Sequence, residues 1–325
     1  MPVSRRAALG LAPALAGLAA RPAAAEGDYP NRPIRLVVPF VAGGSVDLLS
    51  RAVAQALGRE LGQTIVVENR PGGTTVIGTT HVARAAPDGY TLLSGGDSVE
   101  LNRYLMPSLP YDPERDLVPI LHLADVPYVL LVNRRLPVQS LRELIAHAKA
   151  RPGELTYASF GIGGAGHLCG ELLARMAGIE MLHIPYAGNP PALIDVVAGR
   201  VAMMFCTIPV ALPELQSNRV RPIAMSSPRR VPVLGEVPTL AEAGLPGYDS
   251  TSQMVLYAPR AVPPGIVRRI NAATREAMAD PDLARLLEAQ GFVLARPGSP
   301  EETAAQIREH SGKWAEVIRA AGIRL

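Results

Sequence analysis

The sequence predicts an α/β protein of two lobes, each a mostly parallel sheet flanked by helices. Three observations carry this. Strand-like apolar runs alternate with helical periodicity along most of the chain, the pattern of βαβ units. The pattern pauses at a proline-rich connector, Pro107 to Pro119, and then resumes. The 325 residues exceed what one ordinary core holds, and 48% of them are hydrophobic. Only 4% are aromatic, so Leu, Val, Ile and Ala must fill the cores.

The first block reads in order. Ile34 to Pro39 is a buried strand, and Val46 to Leu61 has helical spacing. Thr64 to Glu68 is a second strand, Thr75 to Ala85 a helix and Thr91 to Ser94 a third strand. Beyond the connector, Tyr128 to Val132 is strand-like and Leu141 to Ala150 helical. Leu155 to Ala158 is a strand, His167 to Ala177 a helix, Met181 to Ile184 a strand and Pro191 to Ala198 a helix. Val201 to Phe205, Arg221 to Met225 and Val255 to Tyr257 complete the strands. Pro264 to Ala321 is mainly helical, with breaks near Pro281 and Gly291 to Pro300. This tail needs a host, and the first block is the natural one. The expected lobes are therefore residues 26–124 with 254–325, and residues 125–253. Two segments must cross between them, near Asp125–Val129 and Ser252–Leu256, and such a pair suits a hinge.

The N-terminus has the three-part layout of a secretory signal over residues 1–25. Arg5 and Arg6 precede an uncharged apolar run, Leu9 to Ala20, and Ala23-Ala24-Ala25 supplies the small residues of a cleavage site. Ser4-Arg5-Arg6 also resembles a twin-arginine signal, although Ala7-Ala8 replaces the bulkier residues usual there. Arg5, Arg6 and Arg21 account for the whole formal charge of +3. The remainder is formally neutral, which leaves no basic arm for nucleic acid or a membrane surface. The expected product is a periplasmic monomer.

Ligands of open α/β sheets sit at the carboxyl ends of strands. Two loops there stand out. Gly43-Gly44-Ser45-Val46-Asp47 leads from the first strand into the first helix. Glycines let backbone approach a ligand, and a helix N-terminus offers unpaired amides and a positive dipole end. An ordinary turn with Ser45 or Asp47 as cap is the plain alternative. Gly161-Ile162-Gly163-Gly164-Ala165-Gly166-His167 is the second loop. It matches G-x-G-x-x-G, yet the next strand ends in Pro185-Tyr186 without the acid a dinucleotide ribose needs. An anion nest requires only backbone amides and fits better. His167 suits a carboxylate contact or the ordering of its turn. Tyr186 suits a carboxylate contact or a half-buried strand end.

No G-x-S-x-G elbow occurs, and no histidine pair has zinc-ligand spacing, so no metal and no cofactor is expected. His167 and Cys169 on one helix point apart at their spacing. Cys169 and Cys206 would be free to pair in an oxidising compartment, or to serve as small buried residues.

Several segments together resemble the Bug-type substrate-binding proteins of tripartite tricarboxylate transporters. They include Tyr29-Pro30-Asn31-Arg32-Pro33-Ile34, Val38-Pro39-Phe40 through Gly43-Gly44 to Asp47, and Val67-Glu68-Asn69-Arg70-Pro71-Gly72. Ala86-Pro87-Asp88-Gly89-Tyr90, Leu109-Pro110-Tyr111-Asp112-Pro113, His183-Ile184-Pro185-Tyr186-Ala187-Gly188 and Gly244-Leu245-Pro246-Gly247-Tyr248 continue the series in order. The resemblance implies a type II-like periplasmic binding protein fold with its ligand, a small carboxylate, in the interlobe cleft. It implies recognition through backbone amides and bridging waters. The implied site is Phe40, Val41, Ala42, Gly43, Gly44, Ser45 and Asp47 with Ser94. From the second lobe come Ser159, Gly161, Gly163, Gly164, Ala165, Gly166 and His167, with Tyr186 and Cys206. Implied partners are membrane subunits of a tripartite transporter, or a membrane sensor.

The sequence departs from that family in three places. Cys206 stands where an aspartate is common, the late strand reads Thr251-Ser252-Gln253 without a tryptophan, and Glu100 replaces a frequent histidine. A less acidic pocket wall follows as an expectation, and with it a plain carboxylate rather than an amino acid. An enzyme on the same scaffold, using His167 with Cys169 or Ser159, would need nucleophile and base within hydrogen-bond reach.

Overall fold

The structure, a computed structural model, describes residues 29–324. The expected export signal, residues 1–25, lies outside the described residues.

Strand β1 (Ile34–Val38) is apolar on both faces and lies between β2 (Ile65–Asn69) and β3 (Thr91–Gly95), parallel to each. Side chains alternate across a sheet. Ile34, Leu36 and Val38 therefore pack on α1 (Ser45–Leu61) and α9 (Pro264–Met278), while Val37 meets α2 (Val76–Ala83) and α3 (Ser98–Leu105). Helix α1 buries Val46, Leu49, Val53 and Leu57, spaced three and four apart, and ends at left-handed Gly62.

After the short α4 (Pro113–Asp116), β4 (Leu117–Asn133) runs for 17 residues. Its first part pairs antiparallel with β9 (Thr251–Pro259) and with β10 (Val293–Leu294). Its last part pairs antiparallel with β7 (Met203–Thr207) and β8 (Val220–Met225). In the second sheet β5 (Thr156–Ser159) joins β6 (Leu182–Pro185) and β7 in parallel. Helices α5 (Leu141–Ala150) and α6 (Ala165–Ala177) cover one face, and α7 (Asn189–Ala198) and α8 (Ile208–Gln216) the other. Helices α10 (Pro281–Ala289) and α11 (Pro300–Ala321) complete the chain. Trp314 of α11 is buried beside Leu101 and Leu105 of α3 and Leu168 of α6.

The parallel strands expected from the βα alternation are β2-β1-β3 and β6-β5-β7; the crossing strands add antiparallel partners, so the sheet is mixed. Three elements escape the sequence pattern. The first part of β4 contains Pro119 and Pro127, which read as connector. The ladder accommodates such residues with register shifts between Pro119 and Leu121 and between His122 and Ala124. Helix α8 carries Pro209 and Pro213, and α3 follows Gly95-Gly96 with several polar residues.

Candidate ligand site between the two sheets

A cavity lies between the sheets, and five helices begin at its wall. Gly44, Ser45 and Val46 open α1, Asp97 and Ser98 open α3, and Ala165 opens α6. Gly188 and Asn189 open α7, and Thr207 opens α8. The first intrahelical bonds of α1 and α6 run from Leu48 to Gly44 and from Leu168 to Gly164. The amides of Ser45, Val46 and Ala165 consequently have no partner within their helices. No lysine, arginine or histidine lines the wall. The helix ends supply positive potential of about half a charge each, and the Asp97 carboxyl on the same wall opposes it.

The crossing strands supply the floor. Tyr128 of β4 and Ser252 of β9 share a hydrogen bond of 2.9 Å between their hydroxyls, with Met254 alongside. Phe40 and Phe160 approach edge to face at 5.9 Å from opposite sides. Asn189 is buried, its Nδ2 lies 3.5 Å from Thr207 Oγ1, and its Oδ1 has no partner. Either orientation of that amide leaves an atom for a ligand.

Of the expected site residues, Phe40, Val41, Gly44, Ser45 and Ala165 line the cavity. Others shape its loops. Gly43 takes a positive φ of 79°, and its amide donates to Asp47 Oδ2 at 2.9 Å. Asp47 does not face the cavity; it also accepts from Arg51 Nε and Asn69 Nδ2. Burial pushes its carboxyl up, and these bonds outweigh burial and hold it below the usual range. Gly163 takes a φ of 71° and donates to His167 Nδ1 at 2.9 Å. His167 therefore orders its turn, with Nε2 3.5 Å from Glu171 Oε1, and burial lowers it to about 4. Gly161, Gly164 and Gly166 belong to the same turn without reaching the wall.

Four more of the expected residues lie off the cavity wall. Ala42 is exposed. Ser94 is fully buried and bonded to Ser50 Oγ at 2.8 Å. The Tyr186 hydroxyl donates to Asp195 Oδ2 at 2.6 Å, outside the cavity. Cys206 packs among Val129, Leu131 and Met204, because alternation turns it from the cavity into a core. Cys169 lies in the core on the opposite sheet face, and both cysteines are thiols.

The pairings of His167 with Cys169 or Ser159 that an enzyme would need are not among the hydrogen bonds of the described residues. Cys169 Sγ sits 2.9 Å from Ser250 Oγ, and burial pushes its thiol up to about 12. Ser159 Oγ lies 2.7 Å from the Nε2 of His183, not His167, and also donates to the Gly161 carbonyl. Ser159 is fully buried and His183 half-buried, and neither lines the cavity. Among the described residues no helix is long and apolar enough to cross a membrane, and no cluster of three metal-ligating side chains occurs.

The sequence reading missed Asp97, Gly188, Asn189, Thr207, Tyr128 and Ser252. One signal was present: Gly95-Gly96-Asp97-Ser98 after β3 repeats the glycine pair and following polar residue of Gly43-Gly44-Ser45 after β1. The missing α3 hid it.

Two sheets joined by shared strands, with a cavity at converging helix N-termini, define a two-lobed solute-binding protein. The comparisons narrow this class. A model of the tripartite tricarboxylate transporter family receptor matches residues 49–323, and the chain belongs to that family. It is 39% identical to BugT of Bordetella pertussis over 323 residues, 98% of each chain. It resembles the structure of R. palustris Rpa4515 with adipate, at a TM-score of 0.88 and 36% identity over 91% of this chain and 99% of that one. MatC of Rhodopseudomonas palustris with bound malate gives a TM-score of 0.84 and 33% identity over 89% of this chain and all of that one.

Proposed function

We propose that this protein captures a small carboxylate in the periplasm and delivers it to the membrane subunits of a tripartite transporter. One observation carries the reading: five helix N-termini converge on a cavity without a cationic side chain. Such a site stabilises an anion through fixed amides and dipoles. The adipate and malate held by two related structures fit this chemistry. The site residues are Phe40, Val41, Gly44, Ser45 and Val46 from one lobe, and Phe160, Ala165, Gly188, Asn189 and Thr207 from the other. Residues 26–124 with 254–325 form the first lobe and 125–253 the second. Their hinge is the β4–β9 ribbon, where Asp125 pairs with Gln253 and Val126 with Ser252. Closure on the ligand selects a state already accessible to the chain. The mechanism holds no chemical step. Residues 1–25 direct export and are removed.

Thermal melts and calorimetry with dicarboxylates test the reading. One acid should bind per chain below millimolar concentration, and at a hundredfold excess over Kd it should stabilise the fold by about 2.7 kcal/mol. A chain that binds none of them does not have this function.

A further inference from the structure

We infer that Asp97 selects a ligand carrying a hydrogen-bond donor, an ammonium or a hydroxyl, in addition to its carboxylate. This rests on the carboxylate-capture reading and specifies its ligand class. Asp97 lines the cavity, and its side chain is only 4% exposed. It stands at the N-cap of α3 but does not cap that helix. Instead Oδ1 accepts from the Gln253 amide of β9 at 2.9 Å and lies 3.1 Å from His310 Nε2 of α11. Three elements thus fix the carboxylate in place. Both bonds go to Oδ1; Oδ2 has none among the described residues and is not one of the fully buried unpartnered atoms, so it stays open to the cavity.

A carboxylate offers acceptors alone. A ligand that takes Oδ2 out of water without matching it pays a cost, larger for a charged acceptor. A ligand carboxylate placed against Asp97 would add like-charge repulsion. His310 Nε2 lies near both Oδ1 and the Trp314 indole N–H; burial opposes its protonation, but Asp97 outweighs burial and raises its pKa. That pairing occupies Oδ1 and leaves the demand of Oδ2 for a donor. The remaining wall meets the opposite need, since amides and hydroxyls donate to the ligand's own carboxylate. A solute with one acidic end and one adjacent donor satisfies both. The wall is therefore more acidic than Cys206 led the sequence to suggest, and a plain carboxylate is the poorer match.

Calorimetry on the wild-type chain with two matched series decides this. One is succinate, malate and aspartate; the other is adipate with its α-hydroxy and α-amino derivatives. In whichever series binds, a donor-bearing acid should bind about tenfold or more tightly than the unsubstituted acid. Asp97→Asn, whose amide can donate as well as accept, should shrink that gap to less than about threefold. His310→Gln keeps the carboxylate and the Gln253 bond to Oδ1, and should preserve the gap. Equal affinity for unsubstituted and substituted acids in the wild type overturns the inference while leaving carboxylate capture intact. So does a gap that survives Asp97→Asn or collapses in His310→Gln. Binding of neither series overturns both readings.

Discussion

Glu100 shows how a single residue that looked like part of the site belongs elsewhere. It is 9% exposed and faces a separate depression with Arg103, Arg260 and Arg308. Burial raises its carboxyl to about 7, against the smaller pull of Arg103. Between the unfolded value near 4.5 and about 7 the folded chain holds the extra proton, so this residue lowers stability as pH rises through that window. Glu100→Gln removes the penalty. The variant should be more stable than wild type by roughly 2–3 kcal/mol at pH 8, and the difference should vanish by about pH 4.5. Denaturant titrations of both proteins across that range measure it, and a pH-independent difference would contradict the burial argument. At this scale the sequence was legible where chemistry is local, as in the Phe40 to Ser45 loop. It was opaque for Ser94, Tyr186 and Cys206, whose direction depends on register and on distant partners such as Ser50 and Asp195.

Among the elements, the entry into α1 depends on Asp47. Its carboxylate ties the helix's first turn to the Gly43 amide and to Asn69 at the end of β2. Asn69 in turn donates to the Phe40 carbonyl, so the loop that offers Ser45 and Val46 is braced from the neighbouring strand. Asp47→Ala should cost about 1.5–3 kcal/mol, the range for hydrogen bonds to a charged group, and weaken ligand binding severalfold. Thermal unfolding and calorimetry read both effects; an unchanged melting temperature would show that the brace carries no load. Helices and parallel strands with regular periodicity were readable within a few residues, since local spacing determines them. The first part of β4 was not. Its prolines look like a connector, and only pairing with β9, more than a hundred residues later, makes it a strand. Losing that segment and α3 together removed Asp97 from view.

For the molecule as a whole, the two sides of the cleft are already in contact. Phe40 meets Phe160, and a Cβ on Gly188 would come within 2.5 Å of Val41 Cγ2. Gly188 has an extended backbone with φ of −179°, so alanine there meets no local strain. Gly188→Ala should therefore obstruct closure and leave each core intact. Ligand affinity should drop about tenfold or more, because fewer molecules reach the competent state. The melting temperature without ligand should stay near that of wild type. Small-angle scattering at saturating ligand should report a wider molecule than wild type; equal dimensions and equal affinity would contradict the contact.

The convergence of helix ends has a consequence for the empty protein. Helices α1 and α3 point their positive ends at the cavity from one side, and α6, α7 and α8 point theirs from the other. Shutting the cleft on nothing crowds like poles together in a space that excludes water. The Asp97 carboxyl at the head of α3 answers part of that repulsion, and a ligand carboxylate held by the other four ends answers the rest. On the proposed reading, an uncharged solute of the right shape leaves those four ends opposed, and an acid turns the same repulsion into attraction across the cleft.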